Sequence, residues 1–223
     1  MSTSAITQVS ADAGEYQGCL FALDDPSCDA SFGGSHRVQL DAASWVDIVP
    51  RWMRGADLVF GELVARLRWS QREVVMYDKV LPEPRLTDWW TTLSERVEPL
   101  PVLTEARSLL TERYTRPFDT VGFNFYRDGR DSVTWHADRE RYHHEDPVVA
   151  IVSVGALRAL HLRPRSGVVG EHQQFLVGQG DLLVMGGSCQ HDWEHAVPKV
   201  AHAPGPRLSI MFRHNLADLP RDP

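Results

Sequence analysis

Hydrophobic positions change their period partway along the chain. From Ala56 to Trp69, Leu58, Val59, Leu63, Val64 and Leu67 recur at helical spacing, and Asp57 stands where a helix N-terminus favours negative charge. This spacing predicts an amphipathic helix. A second helix is expected from Pro101 to Tyr114. There Val102, Leu103, Ala106, Leu109, Leu110 and Tyr114 lie mostly on one face, with a proline in the first turn, where a missing N–H costs nothing. Between them, Val74 to Trp90 contains Pro82 and Pro84 and reads as strand plus loop. Residues up to Glu15 are small and polar without a useful period, which predicts a disordered arm over 1–15.

After Pro117 the pattern becomes short β-branched and aromatic runs broken by Gly, Asp and Pro. The runs are Thr120 to Tyr126, Ser132 to His136, Val148 to Val154, Leu157 to Leu162, Gln174 to Val177, Asp181 to Met185 and Arg207 to Phe212. Asp128-Gly129 suits a hairpin turn, and Gly178-Gln179-Gly180-Asp181 a tight connection. Helices come first and strands after. The expected fold is therefore mainly β with flanking helices (α+β), a double-stranded β-helix, or jelly roll, buttressed by N-terminal helices. Its core would be 117–214, within a single domain over 16–223.

Composition narrows the setting. A chain of 223 residues, 43% hydrophobic, can bury one sizeable core. The net charge of −7 argues against binding nucleic acid by bulk electrostatics, so a polyanion site must be a local patch. Three cysteines, Cys19, Cys28 and Cys189, lack metal-ligand spacing and fit unpaired thiols in a reducing cytoplasm. No basic region precedes an apolar run at the N-terminus, and no run reaches the ~18 apolar residues of a membrane span. The chain is expected to be cytoplasmic, monomeric and not membrane-bound.

The candidate chemistry lies in Thr134-Trp135-His136-Ala137-Asp138 and Asp192-Trp193-Glu194-His195-Ala196. On a strand, residues two apart share a side, so His136 and Asp138 can hold one metal while Trp135 and Ala137 face away. A second strand would bring in His195. Two imidazoles and a carboxylate suit non-heme Fe(II), because three coordination positions stay open. A rival reading takes His191-x-x-Glu194-His195 as a zinc-peptidase motif, which needs a helix that Gly186-Gly187-Ser188 and Pro198 leave little room for. His161, His172 and His202 lack partners at ligand spacing and are expected to be surface or structural. Arg127, Arg130, Arg139, Arg141, His143 and His144 are either phosphate contacts or an ordinary charged loop, interleaved as they are with Asp128, Asp131 and Glu140. A metal-free jelly roll that only binds modified nucleic acid is a further alternative.

Six segments in order resemble the AlkB family of Fe(II)- and 2-oxoglutarate-dependent dioxygenases that demethylate nucleic-acid bases. They run from Asn124-Phe125-Tyr126-Arg127-Asp128-Gly129 and Trp135 to Glu140, through Val152 to Ala156, Gly180 to Gly187 and Trp193 to Pro198, to Arg207 to Arg213. Pro82 to Trp89 also resembles a substrate-lid segment, giving a lid over 66–92. The resemblance implies that His136, Asp138 and His195 are catalytic iron ligands. Arg207 and Tyr126 would hold the distal carboxylate of 2-oxoglutarate, and Asn124 with Arg213 its keto-acid end. Ser209 would also line that site, where several family members carry Asn. Trp69, Tyr77, Arg85 and Glu140 would meet the base, with Trp89 and Trp90 as other aromatic candidates. The cofactors implied are Fe(II), 2-oxoglutarate and O2, and the substrate alkylated DNA or RNA, repaired with release of formaldehyde, succinate and CO2. The alternative is hydroxylation of a protein or small molecule.

Overall fold

The computed structural model describes residues 25–76, 79–94, 100–138, 144–201 and 205–214. The arm over 1–15, Cys19, Tyr77, Arg139, Glu140, Arg141, His143 and His202 lie outside them. Strands β1 (Ser27–Cys28), β2 (His36–Gln39), β3 (Ser44–Val49) and β4 (Met53–Arg54) precede helix α1 (Ala56–Arg66). Next come β5 (Glu73–Met76), β6 (Lys79–Pro82), β7 (Leu86–Thr91) and helix α2 (Pro101–Tyr114). The remainder is β8 (Thr120–Tyr126), β9 (Val133–His136), β10 (Val149–Gly155), β11 (Arg158–Pro164), β12 (Gln173–Val177), β13 (Asp181–Gly187), the short α3 (Cys189–Asp192), β14 (Trp193–Val197) and β15 (Arg207–Arg213).

Two antiparallel sheets form a jelly roll. The larger has seven strands in the order β2-β3-β13-β10-β15-β8-β7, the smaller four in the order β12-β11-β14-β9. Alternation along each strand sends side chains to opposite faces. On β15, Leu208, Ile210 and Phe212 join a core with Val59 and Leu63 of α1 and Leu103 and Leu110 of α2. Met211 joins Ile151, Tyr126 and Leu183 in a second core against Leu160, Leu162 and Phe175 of the smaller sheet. One face of the large sheet is thus sealed by helices and the other by the small sheet. No helix among the described residues is long and apolar enough to cross a membrane.

Helices do not simply precede strands. β2 and β3 come before α1 and complete the large sheet, with Val49 opposite Leu182 and Ser44 opposite Gly187. Asp128-Gly129 closes no hairpin: it carries the chain from β8 in the large sheet to β9 in the small one. Gly129 is needed there for close approach, since a Cβ would stand 2.1 Å from the Val200 carbonyl oxygen. Helix α1 ends at Arg66, short of Trp69, because Leu67 turns extended and the backbone of Ser70 bridges Thr87. The 66–92 segment divides, β5 and β6 forming a separate hairpin while β7 is the edge strand beside β8. The tight turn at Gly178–Asp181 holds: the Asp181 carboxylate accepts from the Gly178 amide at 3.0 Å, and Gly180 takes φ 92°.

Candidate metal centre and co-substrate cavity

His136 at the end of β9 and His195 on β14 are opposed in the small sheet, and Asp138 follows two residues after His136. Their ligand atoms lie within 4.8 Å of one another, the one such group of three among the described residues. Asp138 Oδ1 stands 3.7 Å from His136 Nε2 and 3.9 Å from His195 Nε2. With its Nδ1–H donated to the Thr134 carbonyl at 2.8 Å, His136 turns the Nε2 lone pair toward the centre.

The surroundings set the charge of each ligand. Burial pushes the His195 imidazole down to about 3, helped by His136, so the ring is neutral and able to ligate at neutral pH. Burial alone would raise the Asp138 carboxyl, but the Arg213 guanidinium, which also donates hydrogen bonds to it, outweighs that and holds it well below the usual carboxylate range. Arg213 donates to Asp138 Oδ2 through Nε at 3.2 Å and Nη2 at 2.9 Å, leaving Oδ1 to face the histidines. Behind the site, Gln190 Oε1 accepts the Asp138 amide at 2.8 Å. Gln190 sits on α3, and nothing in its local sequence marks it as a partner of Asp138.

The triad borders a cavity of about 550 Å³ between the two sheets. Across the large sheet, Thr87 pairs with Asn124, Asn124 with Ser209 and Ser209 with Ser153. Arg207, 1% exposed, faces the same cavity beside Tyr126, its guanidinium carbon 5.3 Å from the ring centroid. Its Nη2 donates to Ser153 Oγ at 2.7 Å, while Nε and Nη1 are buried with no hydrogen-bond partner. Burial lowers its pKa, an effect that Tyr126 and Asp181 offset only in part, so a carboxylate docked on those two donors would relieve a buried cation. This unmet demand fits 2-oxoglutarate. The donor set of two neutral imidazole nitrogens and one carboxylate oxygen fits Fe(II).

The expected substrate residues separate. Arg85 lines the cavity, pairs with Glu83 at 3.1 Å and donates to Asn124 Oδ1 at 3.3 Å. Trp69 is not at the cavity: it packs on Phe125 with ring centroids 5.3 Å apart and donates to the Val64 carbonyl. Of the tryptophans considered, the one that lines the cavity, along with Tyr126, is Trp89, over which Arg213 sits at 5.1 Å; Trp90 is buried in the helix-side core. Arg127 and Arg130 pair with Asp131 and Asp128 of their own loop, which favours the ordinary charged-loop reading for both.

The peptidase reading fails. His191 lies on the four-residue α3 and bonds the His144 carbonyl at 3.0 Å, whereas Glu194 and His195 lie on β14, with Glu194 paired to Arg163. Cys28 and Cys189 are free thiols.

A family model described as the 2OG-Fe(II) oxygenase superfamily matches residues 52–213. Alpha-ketoglutarate-dependent dioxygenase alkB homolog 3 of Mus musculus is 34% identical over 177 residues, covering 72% of this chain and 62% of that protein. The protein of the same name from Homo sapiens is 31% identical with the same coverage. DNA oxidative demethylase ALKBH2 of Arabidopsis thaliana is 33% identical over 117 residues, 43% of this chain and 37% of its own. An oxidoreductase of the 2OG-Fe(II) oxygenase family from Burkholderia pseudomallei superposes with a TM-score of 0.48 at 14% identity, covering 75% of this chain and 84% of that one. The alkB homolog 3 matches leave about two fifths of those proteins outside the match, since the chain spans 62% of their length. On the match over residues 52–213 and these relatives, the chain belongs to the 2OG-Fe(II) oxygenase superfamily and, within it, to the AlkB family.

Proposed function

We propose that this chain demethylates N-alkylated bases of DNA or RNA oxidatively, consuming 2-oxoglutarate and O2 and releasing succinate, CO2 and formaldehyde. The observation that carries the reading is one cavity holding both the His136, Asp138, His195 group and the two unused donors of buried Arg207. The relative named as an alpha-ketoglutarate-dependent dioxygenase supports the co-substrate, and the one named as a DNA oxidative demethylase supports the choice of substrate.

Fe(II) with 2-oxoglutarate and O2 supplies the oxidation of an N-methyl carbon. The chain supplies position and exclusion of water. His136, Asp138 and His195 would hold the metal, Arg207 and Tyr126 the distal carboxylate, and Asn124 and Ser209 would line the floor between them. Arg213 would act mainly through Asp138, fixing which carboxylate oxygen faces the metal. A base in the cavity would find Trp89, Arg85 and Glu83 in its lining, an aromatic face and an ion pair, which suits an unstacked base with polar edges.

The test is incubation of iron-loaded protein with 2-oxoglutarate and short methylated DNA or RNA oligonucleotides, read by mass. Loss of the methyl mass with formaldehyde release is expected. Succinate formation without methyl loss on every oligonucleotide would redirect the reading to a protein or small-molecule hydroxylase.

A further inference from the structure

The outer face of the small sheet, turned away from the cavity, carries a second cluster of imidazoles. His161 lies between Leu160 and Leu162, both in the inter-sheet core, so alternation points it outward. Trp135 is outward for the same reason, one residue from His136. His172, exposed on the connection from β11 to β12, comes back over His161. His161 Nδ1 and His172 Nε2 share a hydrogen bond at 2.9 Å, with ring centroids at 4.9 Å and an interplanar angle of 30°.

We propose that His161 and His172 form a surface site for a divalent transition cation of the Ni2+ or Cu2+ type, separate from the inner triad. Two imidazole nitrogens about 2.05 Å from one ion lie roughly 2.9 Å apart at a right angle and roughly 3.4 Å apart at the tetrahedral angle. The hydrogen-bonded pair already holds its nitrogens at the spacing of neighbouring corners of a square-planar or octahedral site, so an ion would replace the shared proton with little movement of either ring. Burial and the His172 ring keep the His161 imidazole below its ordinary pKa, so the ring is neutral at neutral pH and retains one nitrogen lone pair for a metal. Trp135 meets both rings edge-on, at 6.3 Å and 80° to His161 and at 5.8 Å and 71° to His172. Those contacts hold the pair in place and lower the ordering cost of chelation. The nearby cation, Arg163, is 4.3 Å from the Trp135 ring and already paired with Glu194, so repulsion of a metal is damped.

Equilibrium dialysis of the full chain against Ni2+ tests the site. Wild type should hold two ions, His172→Gln and His161→Gln one each, and His136→Ala one, retained on the outer face. Because His172 is exposed, its variant guards against a folding defect in the other. Cu2+ bound to His136→Ala should show coupling to two imidazole nitrogens by electron paramagnetic resonance, and His172→Gln in that background should abolish it. A wild-type count of one that vanishes in His136→Ala would overturn the proposal, leaving the pair a hydrogen bond that ties the loop to β11. So would a count unchanged by both outer substitutions.

Discussion

Along β15 the two faces of the large sheet alternate residue by residue. Leu208, Ile210 and Phe212 point to the helices, while Arg207, Ser209, Met211 and Arg213 point to the cavity. Both sets are nearly sealed from solvent, yet they are built on opposite terms. The helix-side face gains from every methylene it buries. The cavity face carries two buried guanidiniums and a buried carboxylate, and their desolvation opposes folding. Along this one strand the helix side is purely apolar, while the other side sets Met211 of the second core among the charged groups that carry the chemistry. The comparison implies that the two faces can be damaged independently.

The largest separation is expected at the triad. His136→Ala should reduce 2-oxoglutarate turnover at least about a thousandfold, since about 4 kcal/mol of transition-state stabilisation is that factor. His136 is 38% exposed at its side chain, so the melting temperature of the metal-free protein should stay close to wild type. Retained succinate production in the purified variant would break the metal assignment. On the opposite face, Phe212→Ala empties a fully buried site among α1 and α2 residues. It should cost about 3–5 kcal/mol and lower the melting temperature by roughly 10 °C, while the folded fraction keeps its Michaelis constant for 2-oxoglutarate. A changed constant would show that the faces are coupled.

Arg207→Met sharpens the contrast on the cavity face itself. Removing a buried cation with two unmet donors should leave stability unchanged or slightly raised, because apolar replacement of a buried charge is often neutral or favourable. The same change should raise the 2-oxoglutarate Michaelis constant about a hundredfold, the loss of a paired charge-assisted contact. An unaltered constant, measured by succinate formation, would remove Arg207 from the co-substrate site.

The alternation that separates these faces was legible wherever pairing is local or the pattern strict. Val149–Gly155, Asp181–Gly187 and Arg207–Arg213 were expected within a residue or two, as was α2 from its Pro101 start. β2 and β3 were not foreseen, because Val38, Val46 and Ile48 form brief runs: β2 pairs only with β3, and β3 reaches the sheet through β13, more than a hundred residues on. Asp128-Gly129 signalled a reversal, but turn chemistry does not say which sheet the chain enters next. His136, Asp138 and His195 stood out because a metal site needs unusual side chains. Trp69 and Trp89 look alike in sequence, and only the end of α1 at Arg66 and the β7 edge decide that one packs on Phe125 and the other faces the cavity. Gln190, which holds the Asp138 amide, had no sequence signal, since its role depends on α3 meeting the strand end across the fold.

The smallest expected effect concerns a titratable group on the helix-side face. His214 follows Arg213, points the way of Phe212 and packs edge-on against Phe118 at 6.2 Å. The Val148 amide donates to its Nε2 at 2.9 Å, which requires an unprotonated nitrogen. Burial, with His144 and Arg116 nearby, pushes its pKa from 6.5 to about 4. Between about pH 6.5 and 4 the unfolded chain therefore binds a proton that the native chain refuses, so stability falls as pH drops through that window. One such group contributes a slope of at most about 1.4 kcal/mol per pH unit. His214→Gln preserves an acceptor for Val148 without titrating, so it should flatten the decline. His195 and Asp138, whose pKa values are also depressed, would supply the slope that remains. Urea midpoints of the two proteins from pH 4 to 7 measure the difference, and parallel curves would mean that His214 titrates alike in the folded and unfolded chain.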